Sequence, residues 1–320
     1  MTGSPSTSVA TAVAHPNIAL VKYWGKQPGP GNVPATPSLS ITVAALTTTT
    51  QVEAAAKNSI RIDGVPRADP KVQALVDAMR GAFELPPMAV TTDNDFPTGA
   101  GLASSASGFA ALVTAIDAKF DLHLSPSARS AWARRGSASA ARSIFGGFAT
   151  LAERDGEWTA AELLDRDAWP LEVAVAVTDE SAKPVPSSAG MERSRTTSPF
   201  YEAWCRSTEI DYATACRAVT TRDFDAIARI AEHSCLKLHA LMLSSRPALV
   251  YWNPATVAVM DAVRELQVAG TPVFFTIDAG PQVKAVCAPG HGERVANVLG
   301  NVPGVVRTVT SGLGAGASVV

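Results

Sequence analysis

Apolar residues along this chain change period repeatedly, from alternation to helical spacing and back. Near the start VATAVAH reads as a strand, residues 28–37 form a Gly/Pro loop, and SLSITVAALTTTTQVEAA, rich in β-branched residues, predicts one or two strands. After a short R-I-D-G turn, Asp69 can cap a helix entered through Pro70 and carried by VQALVDAMRGAF. MAVTTDND is a strand running into a polar loop. Over residues 101–120 the spacing becomes helical, with Leu102, Phe109, Leu112, Val113 and Ile116 sharing a broad face.

Residues 128–147, ARSAWARRGSASAARSIFGG, mix helical stretches with small-residue breaks, and FATLAER resumes a strand. A polar stretch at 165–170 gives way to LEVAVAVTD, a nearly continuous apolar run that predicts a central strand opening the second half of the molecule. Helices are expected from Ser198-Pro199 through WCRSTEIDYATACRAV, and over residues 224–243 and 254–269. TPVFFTIDAGPQVKAVCAPG reads as strand, turn, strand, and HGERVANVL as a short helix. Strands and helices are mixed throughout without an internal repeat, which predicts a two-lobed α/β or α+β chain, divided here into residues 1–178 and 179–320.

Composition narrows the function classes. Hydrophobic residues make up 47% and charged residues 18%, which excludes a disordered chain. Lys plus Arg number 27 against 29 Asp plus Glu, a net charge of -2, so no overall basic field attracts nucleic acid or an anionic membrane. Any anion must be held by a local cluster. Cys205, Cys216, Cys235 and Cys287 lack C-x-x-C spacing and read as reduced thiols of a cytoplasmic protein. MTGSPSTSVATAVAHPN lacks the basic and apolar regions of a secretory signal. Residues 96–116 carry no charge, yet Ala, Gly, Ser and Thr fill them, so they read as part of a soluble fold and not a bilayer span. The five histidines have no partners at metal-ligand spacing, so a protein-ligated metal is not expected.

Four segments are candidates for chemistry. In PTGAGLASSASG, residues 97–108, glycines allow backbone N–H groups close to a ligand, and a following helix end offers unpaired donors; together these bind phosphate. A Ser-capped helix with small residues for close packing fits the same pattern. The P-loop lysine, the third dinucleotide glycine and the G-x-S-x-G elbow are all missing. In HPNIALVKYWGK, residues 15–26, Lys22 and Lys26 flank Tyr23, Trp24 and Gly25, which suits a multiply charged phosphate or an amphipathic edge with its lysines in water. In RRGSASAARSIFGG, residues 134–147, Arg142 offers its donor fork to a carboxylate with Ser137 and Ser139 beside it. A solvated basic helix end accounts for Arg134 and Arg135 better than for Arg142. Asp278, closing the apolar run V-F-F-T-I, is either a general base or the start of a turn.

NIALVKYWGK, PSLSITV, DFPTGAGLASSASGFAALVTA, GSASAARSIFGGFA, SSAGM and TIDAGP, in this order, resemble the blocks of the diphosphomevalonate decarboxylases, members of the GHMP kinase superfamily. The resemblance implies an α+β, two-lobed GHMP kinase-like fold with the active site in the cleft. It implies ATP with Mg²⁺ as phosphoryl donor, (R)-5-diphosphomevalonate as substrate, and isopentenyl diphosphate, ADP, phosphate and CO2 as products. By the same resemblance Asp278 stands at the 3-hydroxyl as general base or orienting group, Lys22 is close enough to depress its pKa, and Arg142 holds the C1 carboxylate. Tyr23, Trp24, Gly25, Lys26, Lys71, Ser137, Ser139 and Ser188 are expected on the substrate. Gly99, Ala100, Gly101, Leu102, Ala103, Ser104 and Ser105 are expected on ATP. A homodimer is implied, with no nucleic-acid or membrane partner.

Within these blocks Ala138 and Ala141 stand where relatives have glycine and cysteine or serine, Ser188 where many have threonine, and Gln282 where asparagine is common. A family member acting on 5-phosphomevalonate, a GHMP kinase that stops at the phosphorylated intermediate, and a silent nucleotide-binding member are the alternative activities.

Overall fold

The computed structural model describes residues 9–96, 104–181 and 183–320. Two strands open it, β1 (Ala10–Ala14) and β2 (Asn17–Val21), parted by His15-Pro16. The β-branched run is two strands, β3 (Ser38–Thr42) and β4 (Thr48–Ala54), which enter different sheets. The hairpin of β5 (Ser59–Ile62) and β6 (Val65–Pro66) turns at Asp63 and Gly64, both at positive φ. Helix α1 (Pro70–Phe83) starts as expected, the Asp69 carboxylate accepting from the Lys71 and Val72 N–H groups at 2.9 and 3.1 Å.

After β7 (Met88–Asn94) come α2 (Ser104–Lys119), α3 (Pro126–Gly136) and the single turn α4 (Ala140–Ser143). The apolar face expected of α2 is buried at Phe109, Leu112, Val113 and Ile116, but so are Ala106, Ala110, Ala111 and Ala115. Small side chains let β1, β4, α3 and α4 pack around the helix on several sides. Leu102 lies outside the described residues.

Strands β8 (Phe148–Arg154) and β9 (Glu157–Leu164) form a hairpin at Asp155-Gly156, again with both residues at positive φ. The D-G pair was the available signal for β9, whose own side chains alternate poorly. Next come β10 (Glu172–Val177), α5 (Ser187–Thr197), α6 (Tyr201–Thr221), α7 (Phe224–Leu243) and α8 (Pro254–Val268). The chain ends with β11 (Val273–Ile277), β12 (Val283–Cys287), α9 (Gly292–Gly300), β13 (Arg307–Gly312) and β14 (Ser318–Val319). Helices α7 and α8 fall where expected; β2, β5, β6, β9, α5, β13 and β14 are additions.

These strands form three sheets, in the orders β14-β1-β4-β7-β5-β6, β2-β3-β8-β9 and β11-β12-β10-β13. The fold class is α+β, as expected. Strand β10 is central in its sheet and buried on both faces. Val173, Val175 and Val177 turn to one core, while Ala174 and Ala176 turn to another built with α8 and α9. The first of these cores is shared between the two halves of the molecule. Ile18, Leu20, Leu39, Ile41 and Phe148 meet Val175, Phe274 and Val286 there, together with Ala215, Ile227 and Ala231 of α6 and α7. Strand β2 runs along this seam with all five residues buried.

A bulge between Ala19 and Val21 shifts the register of β2 against β3, and around it the second half of the chain supplies further bonds to the backbone. Thr276 donates its hydroxyl to the Ala19 carbonyl at 3.1 Å, and the Lys22 N–H donates to Ser234 Oγ at 3.0 Å. No helix among the described residues is long and apolar enough to cross a membrane.

Gly147, in the turn before β8, has φ +54, and a Cβ there would lie 2.5 Å from the Leu164 carbonyl oxygen. Gly147→Ala is therefore expected to lose about 2–3 kcal/mol of stability, read as a lowered midpoint in urea unfolding.

Candidate active site

The end of β2, the turn α4, the end of β11 and the N-termini of α1, α2 and α5 converge on a cavity of about 320 Å³. At one wall stands Asp278, its side chain 29% exposed, between two ammonium groups that are almost wholly buried. Lys22 Nζ donates to Oδ1 at 2.6 Å and Lys284 Nζ to Oδ2 at 3.2 Å. Burial alone would raise the Asp278 pKa, but the two lysines outweigh it and hold the carboxyl well below the usual carboxylate range. Burial lowers the Lys284 pKa, and Asp278 works against that shift.

Arg142 forms the adjoining wall and is 2% exposed. It donates from Nε to Ser40 Oγ at 2.9 Å, from Nη1 to Ser38 Oγ, and from Nη2 to Asn17 Oδ1 at 3.0 Å. All three partners are neutral, and among the described residues no carboxylate lies within ion-pair distance of it. Its desolvation pushes the pKa down to about 10, with Asp278 and Tyr23 acting in the opposite sense. A buried guanidinium with a free N–H on each Nη is a receptor for an anion that must come from a ligand.

Asn17 is itself fixed, donating Nδ2 to the Ser139 carbonyl at 2.9 Å and to Ser143 Oγ at 2.8 Å. Ala138 and Ala141, the departures from the family pattern, do not take positive φ and are buried against Leu151, Trp158 and Ala160, so alanine fits both positions.

Further cations line the same cavity. Lys26 Nζ donates to Asn32 Oδ1 at 2.6 Å and to Ser188 Oγ at 3.3 Å. Its pKa is lowered by burial and then by the neighbouring charge of Lys71, which extends from the first turn of α1. Lys183 Nζ donates to Ser187 Oγ at 2.9 Å and to the Ala279 carbonyl at 3.1 Å; burial lowers its pKa too. Ser137 and Ser139, with hydroxyls 3.0 Å apart, line the same space as Tyr23, Ser104 and Ser105. A second cavity of about 190 Å³ shares Lys71, Ser104 and Ser105 with the first and is otherwise largely apolar, lined by Ile60, Ile62, Val72, Phe109 and Leu112.

Of the expected site residues, Lys22, Tyr23, Trp24, Lys26, Lys71, Ser104, Ser105, Ser137, Ser139, Arg142, Ser188 and Asp278 all line the larger cavity. Trp24 is also core, its Nε1 donating to Ser194 Oγ at 3.0 Å and its ring meeting Tyr251 edge-on. Gly25 is not part of the lining. It has φ +117, and a Cβ there would lie 2.2 Å from the Tyr201 hydroxyl, which is why glycine stands in this motif. Gly99, Ala100, Gly101, Leu102 and Ala103 lie outside the described residues.

Asn17, Asn32, Lys183, Ser187 and Lys284 join the site without having been singled out from the sequence. Lys284, a charge inside the apolar run V-K-A-V-C, was the visible signal. Met191, the last residue of the SSAGM block, lies in a core cluster and lines the cavity as well.

Fold and cavity are those of a GHMP kinase-like protein. Residues 14–161 match the diphosphomevalonate decarboxylase-like N-terminal domain, and residues 173–310 the mevalonate 5-diphosphate decarboxylase C-terminal domain. The diphosphomevalonate decarboxylase of Candida albicans is 32% identical over 327 residues, covering 92% of this chain and 90% of its own. Mevalonate diphosphate decarboxylase from Staphylococcus aureus superposes with a TM-score of 0.91 at 33% identity, over 98% of both chains. A complex of MDDEF with MVAPP, AMPPCP and magnesium gives 0.89 at 34% identity, also over 98% of both chains. The chain belongs to the diphosphomevalonate decarboxylase family.

Behind Lys22 and Asp278, His239 is buried with its ring 4.5 Å from that of Trp252. Burial, with help from the Lys22 charge, pushes its pKa down to about 3 from an ordinary value of 6.5. As pH falls through 6.5 the unfolded chain takes up a proton that the folded chain refuses, so stability is lost between about 6.5 and 3. His239→Leu is expected to flatten the stability profile across that window, measured by urea unfolding at a series of pH values.

Proposed function

We propose that Lys22, Arg142 and Asp278 carry the ATP-dependent decarboxylation of (R)-5-diphosphomevalonate to isopentenyl diphosphate, with ADP, phosphate and CO2 as the other products. The carrying observation is the division of charge around one cavity. A buried guanidinium without an anionic partner and a lysine-clamped carboxylate share that cavity with a cluster of lysines and serines. Those three groupings suit the substrate's carboxylate, its 3-hydroxyl and its diphosphate.

Asp278 accepts a hydrogen bond from the 3-hydroxyl and aims its oxygen at the γ-phosphoryl group. A carboxylate held so far below its usual range is a weak proton acceptor, so Asp278 first orients the hydroxyl and takes its proton only late, when the oxygen has bonded phosphorus and become acidic and the bond from phosphorus to the ADP oxygen is breaking. Lys22 opposes the negative charge that gathers on the transferring group. Once phosphorylated, the tertiary oxygen leaves as phosphate, and the electrons of the C1–C2 bond close the C2=C3 double bond as CO2 departs. Arg142, immobilised by Ser38, Ser40 and Asn17, keeps the carboxylate aligned with the breaking C–O bond. Its own bonds are made before the substrate arrives, so it orients the carboxylate without having to reorganise.

Lys26, Lys71, Lys183, Ser137, Ser139 and Ser188 would hold the diphosphate and the nucleotide phosphates. The smaller apolar cavity beyond Ser104 and Ser105 suits a purine base. The hydroxyls of Ser104 and Ser105, which line both cavities, would help to hold a magnesium ion brought in with the nucleotide. When bound it supplies charge neutralisation of those phosphates.

The reading extends to a cytoplasmic homodimer, which the free cysteines suit through their reducing compartment, and to lobes parted at 178/179. Light scattering at twice the 33.2 kDa chain mass tests the dimer.

Side-by-side assay of ADP, phosphate and CO2 with the diphosphorylated and monophosphorylated substrates tests the activity. CO2 and ADP should appear in equal amounts, with the higher kcat/KM for the diphosphate; ADP without CO2 would point to a kinase. Asp278→Asn is expected to lower kcat by about 10²–10⁴ with little change in KM, in steady-state kinetics. Arg142→Lys should lower kcat/KM by more than about tenfold, since a point charge cannot reproduce the fork or its three bonds.

A further inference from the structure

A lysine at the second position of β12 runs against the chemistry of its surroundings. Val283, Ala285, Val286 and Cys287 are all fully buried, and Lys284 is 3% exposed among them. Its neighbours across the sheet are Thr276 on β11 and Val175 on β10. Directly opposed residues point to the same face, here the one that packs into the shared core and reaches β2 through Thr276. Replacing a buried ion pair with well-packed apolar side chains is often neutral or stabilising, so fold stability gives no reason for an ammonium group at this position.

What the position does allow is contact with Asp278. From β12 the side chain returns across the Asp278–Gln282 turn and places Nζ 3.2 Å from Oδ2, while Lys22 takes Oδ1 from the other side. A carboxylate gripped at one oxygen can swing about its Cβ–Cγ bond; one gripped at both cannot.

We propose that Lys284 is a positioning residue that locks the plane of the Asp278 carboxylate, so that its exposed edge meets the substrate hydroxyl in one orientation. Lys22 comes from the first half of the chain and Lys284 from the second, so the carboxylate is locked only when the two halves are packed together. This rests on the role given to Asp278 above.

The test is Lys284→Met, with Asp278→Asn and the unaltered enzyme assayed alongside. Lys284→Met should remain folded by circular dichroism and bind diphosphomevalonate and a non-hydrolysable ATP analogue within about threefold of the unaltered enzyme. Its kcat should fall by about 10- to 100-fold, the usual effect of removing the group that orients a reacting one. A kcat within threefold of normal overturns the proposal, and so does a loss matched by an equal rise in KM and weaker binding, because a structural defect in a shared cavity damages both. Should the methionine variant not fold, Lys284→Gln, similar in length and uncharged, takes its place under the same criteria; if neither folds, the lysine serves the fold and the proposal fails. Unimpaired turnover in Asp278→Asn would instead remove the role of Asp278 itself, an outcome separate from an inert Lys284→Met.

Discussion

The structure turns on the burial of β2 between the two halves of the chain. The second half adds bonds to its backbone at the bulge and just past its end, through Thr276 and Ser234, and the residue that follows the strand, Lys22, reaches Asp278. A lysine ammonium so thoroughly removed from water is tolerable only because a carboxylate meets it at 2.6 Å. The same contact therefore joins the halves, sets the ionisation of Asp278 and places a cation where phosphoryl charge would develop.

Arg142 shows a complementary use of desolvation. Its guanidinium is held by Ser38, Ser40 and Asn17, three neutral groups that satisfy geometry without neutralising charge. The serines come from β3, the asparagine from β2 and the arginine from α4, so the receptor is assembled from three separate blocks of sequence. Small residues make this possible. Ala138, Ala140 and Ala141 are fully or nearly fully buried, and a bulkier side chain at any of them would push α4 away from the cavity.

Much of this was legible beforehand. Residues with strong local signals were read well. Asp69-Pro70 marked the start of α1, alternation and apolar runs marked β10 through β12, and helical spacing marked α7 and α8. Motif spacing also pointed to Lys22, Arg142 and Asp278. Weaker local patterns misled or were silent. The 38–55 run did not reveal that its two strands part into separate sheets, because β-propensity carries no information on which partner a strand takes. Strand β14 is two residues long and exists only because β1 offers it an edge. In KYWGK the sequence did not show that Gly25 is required by its φ and by the Tyr201 ring, which comes from a distant helix.

By itself, then, the sequence determined which residues could bear charge or bind phosphate and roughly where helices and strands begin, since both follow from side-chain chemistry and from contacts a few residues apart. Tertiary structure decided which of those charges meet. Lys22 and Asp278 are separated by 256 positions, and Asn17 and Arg142 by 125. No local periodicity encodes such pairings. They arise when buried strands and helices pack into one shared core, and the energetic demand that a buried charge find a partner or a ligand then turns packing into a site.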